Sequence, residues 1–233
     1  KEAGAEPFIV PAMGSHGGGT AGGQIDMLAG LGITEGSMGI PVRSCMEPVT
    51  LGTTPDGVPA YMDRNAYDSD GIVVVNRVKL HTAFHGRVES GLCKMVAVGL
   101  GKKHGAETMH MHGLGGVIVD AFRLARDTTG KLLFGVAVLE NAFDEACDLR
   151  VAAPEDFEAV DHELLDLAGW NRLRQTRVPA AFLGVRADVV PVAPVLLGRV
   201  RRDHRAVAGH AVDQTLQDRA EPVADMPASG SPV

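Results

Sequence analysis

The chain has 233 residues, enough to bury a substantial core, and its 45% hydrophobic and 22% charged residues are the proportions of an ordinary globular protein. A formal net charge of −7 argues against nucleic acid or an anionic membrane surface as the main partner. No run approaches the roughly 18 apolar residues of a membrane span, and three cysteines without a CxxC pair (Cys45, Cys93, Cys147) suit a reducing cytoplasm rather than a disulfide scaffold.

In chain order, "PFIVPAM" reads as a short apolar strand followed by a loop in which Gly14, Gly17, Gly18 and Gly19 surround His16. Thr20 is placed to cap a helix through "AGGQIDMLAGLG". "PVRS" and "VTLGTT" read as short strands, and "DGVPAYMDR" as a turn and strand. "GIVVVNRV" is the strongest strand, a β-branched run of the kind buried on both faces of a sheet. "SGLCKMVAVGLG" has helix-length apolar patterning, and "GGVIVDAFRLARDTTG" shows helical spacing up to a C-terminal Gly130. "KLLFGVAVLEN" is a further buried strand, and "APEDFEAVDHELLDLAGWNRL" an amphipathic helix. Strands alternating with helices predict an α/β fold, a mostly parallel sheet with helices on both faces. Beyond Arg177, "VPAAFLGVRADVVPVAPVLLG" has the makings of one strand, interrupted by prolines. Residues after about 200 read as a poorly ordered tail. The chain opens on Lys1 with a strand close behind, so we expect a fragment that lacks an upstream segment.

Histidines cluster where chemistry is expected. Five of the nine fall in the 32 residues from His81 to His112, directly after the strongest strand. His16 also follows a strand, and ligand sites of α/β sheets lie beyond the carboxyl ends of strands. If the two strands run parallel as neighbours, His16 and His81 emerge at one rim. The glycines around His16 would then let backbone and ligand approach each other. Lys94 sits within an apolar run, where desolvation lowers a lysine's pKa toward bond-forming use; the plainer alternative is a side chain that snorkels from a helix end. Isolated loop histidines such as His85 and His104 are more often solvated than functional. His110 and His112, two apart, point to different sides of a helix or to one side of a strand. As a zinc site this pair lacks a third ligand at a familiar spacing.

"PAMGSHGGGTAGG", "NRVKLHTAFHGRVESGLCKMVAVGLGKKHGAE" and "FGVAVLENAFDE" together resemble the amino-terminal catalytic domain of the nickel-dependent lactate racemase family, over roughly residues 7 to 165. The matching elements are the glycine-rich loop with His16, His81 at a strand end, Ser90-Gly91-Leu92-Cys93-Lys94, and His110 sixteen residues after Lys94 (110 − 94). The resemblance implies a pyridinium bis-thio mononucleotide, the nickel-pincer nucleotide, covalently attached to Lys94 and contacted by Gly17, Gly18, Ser90 and Gly91. It makes His110 the nickel ligand, and soft sulfur donors with one imidazole suit Ni(II). His16 and His81 become the acid and base acting on a 2-hydroxy acid, whose C2 hydride passes reversibly to the cofactor. Cofactor-synthesis enzymes are implied as partners. The spacer between His81 and Lys94 is longer than in the family prototype, and His85 competes with His81 for the catalytic position; the strand-end placement favours His81. Arg77, Lys79 and Lys102 are candidate anion contacts. The expected organisation is a racemase-like domain over residues 1–175 and a loose tail over 176–233, with the family's closing domain absent. Two other classes remain open: a zinc-dependent hydrolase or lyase using the histidine cluster, and a non-catalytic or incomplete nucleotide- or metal-binding domain.

Overall fold

A computed structural model describes residues 4–141, 143, 145–173 and 194–199, the last six and 170–173 as backbone alone. The chain divides into two units, Lys1–Arg201 and Arg202–Val233, and every described residue belongs to the first. The tail expected after about residue 200 lies outside the described residues.

The elements follow the sequence pattern closely in the first two thirds of the chain. Strand β1 (Glu6–Pro11) leads through a single tight turn at Gly17–Gly19 into α1 (Ala21–Gly30). Thr20 caps α1 as expected, its hydroxyl accepting from the Gly23 amide at 3.1 Å. After the short α2 (Glu35–Met38), "PVRS" forms no strand, only a parallel bridge from Val42 to Ile9 at the outer edge of β1. A hairpin of β2 (Pro48–Thr53) and β3 (Pro59–Asp63) forms its own two-stranded sheet. Then come α3 (Arg64–Asp68), β4 (Gly71–Val78) and the short α4 (Leu92–Lys94), which runs on into a π-helical turn at Met95–Gly99. Helices α5 (Lys102–Met111) and α6 (Leu114–Thr129) follow, α6 ending on Gly130 in the left-handed region at φ 59° as its sequence required. Strands β5 (Leu132–Glu140) and β6 (Ala146–Ala152), helix α7 (Phe157–Leu173) and strand β7 (Pro194–Arg199) complete the fold.

The main sheet has the order β1-β7-β4-β5-β6, and it is mixed rather than mostly parallel. Only β4 and β5 pair in parallel; β1–β7, β7–β4 and β5–β6 are all antiparallel, as is β2–β3. The expectation of a mostly parallel sheet is therefore corrected, for two physical reasons. Strand β6 returns through a tight turn in which Asn141 Oδ1 accepts the Phe143 and Glu145 amides, and so short a link joins only antiparallel strands. Strand β7 inserts antiparallel between β1 and β4, a pairing across more than a hundred residues that no local pattern encodes.

β1, β4 and β5 nonetheless share one direction, so their carboxyl ends lie along one rim. On one face Phe8, Val10, Ile72 and Val74 join the large core with Leu92, Phe122 and Phe157. On the other, Ile9 and Met13 form a small cluster with Leu28 of α1. Strand β4 alternates: Ile72, Val74, Asn76 and Val78 are buried while Val73, Val75 and Arg77 are half-buried. One face is thus more open than the β-branched run suggested.

Candidate active site at the strand ends

A pocket of about 280 Å3 opens beyond the ends of β1 and β4. His16, His81, Ser90, Lys94 and His110 all contribute to its lining, along with Arg77 and Lys79. Thus the residues singled out at four separate places in the sequence converge. β1 and β4 are not neighbours, since β7 lies between them, but their shared direction brings both loops to the same rim.

The glycine loop is shaped by packing against the protein itself. Gly17 sits at φ +65°, and a Cβ there would come within 2.5 Å of the Gly23 backbone. Gly17 and Gly18 do not line the pocket, and neither does Gly91. From inside, Gln24 Nε2 donates to the carbonyls of Gly14 (2.8 Å) and His16 (3.4 Å). Gln24 is held in turn by Lys102, whose ammonium donates to Gln24 Oε1 and to the Pro11 carbonyl, both at 2.7 Å. Lys102 is fully buried and paired with Asp63 at 3.3 Å, so it braces the loop and is not an anion contact. The His16 ring is fixed by Nδ1–H donation to the Met13 carbonyl at 2.7 Å.

At the end of β4 the chain doubles back and is locked by two side chains. Ser90 Oγ accepts the Lys79 amide and donates to the Lys79 carbonyl, each at 2.6 Å, so this hydroxyl is committed to joining strand end and helix start. Buried Glu89 accepts the His81 amide at 2.7 Å through one oxygen, and the Gly86 amide and His85 Nδ1, both at 3.1 Å, through the other. Burial works to raise the Glu89 carboxyl, but those hydrogen bonds outweigh it and hold the group below its ordinary value. The Ala83 amide donates back to His81 Nδ1 at 3.1 Å. Burial, then the Lys94 ammonium, lower the His81 pKa. His85, the competitor, does not line the pocket; its side chain is 83% exposed and turned to Glu89.

Lys94 ends α4, whose start is held by a carboxylate from α7. Asp161 Oδ1 and Oδ2 accept the Leu92 and Cys93 amides, both at 2.8 Å, at the positive end of the helix. Gly91 makes room: its φ is +97°, and a Cβ there would lie 2.1 Å from Asp161 Oδ1. Asn76 of β4 donates to the Gly91 carbonyl at 2.9 Å. Burial, then Lys79, bring the Lys94 pKa down to about 8. Its ammonium donates to the Glu89 carbonyl at 3.1 Å and lies 5.0 Å from the centre of the Phe84 ring. A π-helical turn follows at once, and such turns recur at functional sites.

His110 approaches from the last turn of α5, with Nδ1–H donating to the Ala106 carbonyl at 2.6 Å and Nε2 left with its lone pair. His112 makes the same kind of bond to Thr108 but does not line the pocket, and His104 packs its ring on Tyr61 at 4.6 Å. Sequence reasoning missed Glu89, Asp161, Asn76 and Gln24. One signal was available: Asp161 falls on the apolar stripe of its helix with Phe157, Leu164 and Leu165, where a carboxylate needs a partner.

Among the described residues no group of three or more His, Cys, Asp or Glu side chains is gathered to hold a metal. No helix of the described residues is long and apolar enough to cross a membrane. Neither a scan against protein-family models nor a search of curated proteins returns a match for this chain.

Proposed function

We propose that this chain carries the catalytic domain of a cytoplasmic 2-hydroxy-acid racemase or epimerase that works with a lysine-tethered nickel-pincer nucleotide. The observation that carries the reading is the convergence of His16, His81, Lys94 and His110 on one pocket. The residues present fit such a group. Lys94 offers an amine of reduced basicity, suited to forming a covalent link. His110 offers one oriented imidazole lone pair, the single protein ligand a group carrying its own sulfur donors needs. Arg77 is paired with Glu140 at 2.6 Å, yet its Nε is buried with no hydrogen-bond partner among the described residues. That Nε and the Lys79 ammonium suit a carboxylate or phosphate.

When bound, the nucleotide supplies a reversible acceptor for the C2 hydride. The chain's own residues then do the rest. Arg77 and Lys79 hold the substrate carboxylate, and His16 and His81 flank the hydroxyl and hold or move its proton. Imidazoles suit this because each has two ring nitrogens, one able to accept a proton while the other donates one.

The test is intact mass and metal content of protein co-produced with enzymes that build such a nucleotide. A mass increment mapped to Lys94, with nickel bound, is expected, and it would justify screening 2-hydroxy acids for racemisation. Unmodified Lys94 without nickel in a loaded host would overturn the reading. His110→Ala should lower nickel retention while leaving the thermal transition unchanged.

A further inference from the structure

His16 and His81 are not equivalent. A backbone carbonyl can only accept a hydrogen bond and a backbone amide can only donate one. His16 Nδ1 faces the Met13 carbonyl at 2.7 Å and therefore carries a proton. In the neutral ring the lone pair is then on Nε2. His81 Nδ1 faces the Ala83 amide at 3.1 Å and therefore carries none, which puts the proton of the neutral ring on Nε2. Both partners are well braced. Gly14, next to Met13, donates its amide to the Gly99 carbonyl at 3.1 Å and accepts from Gln24. The turn holding Ala83 is tied at both ends by Glu89, through the amides of His81 and Gly86.

We infer that His16 and His81 are fixed as opposite tautomers, His16 serving as the base that takes the substrate's hydroxyl proton at Nε2 and His81 presenting Nε2–H as a hydrogen-bond donor to a substrate oxygen. This rests on the proposed function and deepens it. When the hydroxyl O–H bond breaks, the N–H bond forms at His16 Nε2, and the resulting imidazolium keeps its Nδ1–H bond to Met13, now charge-assisted and stronger. Protonating His81 instead would set an Nδ1–H against the Ala83 N–H, losing one hydrogen bond and adding a repulsion. His81 therefore shares its proton without surrendering it. A single base can serve both enantiomers: the flat 2-keto acid releases its carboxylate from Arg77 and Lys79 and turns about its C2=O axis, which keeps the oxygen between the two imidazoles, exchanges faces and swaps the carboxylate with the other C2 substituent.

The assignment is read directly from the ring nitrogens by NMR of protein labelled with 15N-histidine and carrying no cofactor, above pH 8, where rings of ordinary pKa are neutral. His16→Gln and His81→Gln spectra assign the two rings. The expected result is Nδ1 protonated in His16 and Nε2 protonated in His81. The reverse pattern, the same tautomer in both rings, or an averaged signal from either would overturn the inference. Because no cofactor is involved, this outcome is independent of whether Lys94 becomes modified. In cofactor-loaded protein, His16→Gln should lower racemisation by roughly 10²-fold or more in both directions. His81→Gln, whose amide restores a donor, should stay within about tenfold of the parent, a difference of about 1.4 kcal/mol, because the hydrogen bond to the substrate oxygen is replaced rather than lost. Equal losses in the two variants would also overturn it.

Discussion

Lys94 illustrates how neighbours tune one residue. Desolvation is the leading cause of its lowered pKa, Lys79 adds to it, and Glu89 opposes it. Its modification by an amine-directed reagent, followed by peptide mass spectrometry against pH, should show a midpoint near 8 rather than the ordinary lysine value. Lys79→Met should move that midpoint up, because a like charge is removed. Glu89→Gln should move it down, because an opposite charge is removed. Unmoved midpoints in both variants would show that burial alone sets the value. At the same scale, Lys102 shows what a buried cation does when three acceptors surround it: it fastens Pro11, Gln24 and Asp63 and so fixes the loop bearing His16.

Helix α4 is the element on which the site turns, and it has barely a turn of its own before the π-helical segment. Its placement depends on Asp161 from α7 and on the missing Cβ of Gly91. Gly91→Ala meets both a left-handed φ and a contact with the Asp161 carboxylate, and should cost about 2–4 kcal/mol in urea unfolding. Asp161 gives a pH signature. Burial raises its pKa to about 7 against two backbone hydrogen bonds that lower it, so the folded state binds its proton more tightly than the unfolded chain does. Its contribution to stability is therefore full below its ordinary value of 3.8 and is lost as pH rises toward about 7. Denaturation midpoints of the parent, compared with Asp161→Asn from pH 4 to 8, should show a downward slope that the variant lacks. A parallel pair of curves would mean that the carboxylate does not titrate in that window.

For the whole molecule, the unit Lys1–Arg201 depends on a strand contributed from near its own carboxyl end. β7 pairs on both sides, with β1 through Leu196–Ile9 and with β4 through Leu196–Val73. A proline in a strand paired on both sides removes a ladder donor and disturbs the backbone, so Leu196→Pro should destabilise the fold by about 3 kcal/mol or more, read by chemical denaturation. If stability is unchanged, β7 is not integral to the sheet. The same strand holds β1 and β4 apart and yet co-directional, which is what lets His16 and His81 meet at one rim.

The sequence by itself determined the elements whose causes are local. The β-branched run of β4, Thr20 at the start of α1 and Gly130 after α6 each act within a few residues, through sterics and hydrogen bonds that the neighbouring chain supplies. It also marked His16, His81, Lys94 and His110, because strand ends and apolar runs are visible as patterns. Tertiary structure decided what depends on distant partners. The antiparallel insertion of β7 overturned a mostly parallel sheet, since strand direction is set by which edges meet and not by side-chain periodicity. Lys102 became a brace instead of an anion contact because Asp63 and Gln24 surround it. Glu89 and Asp161 gained their roles only when folding brought backbone amides against buried carboxylates, a requirement of solvation that no single stretch of chain expresses.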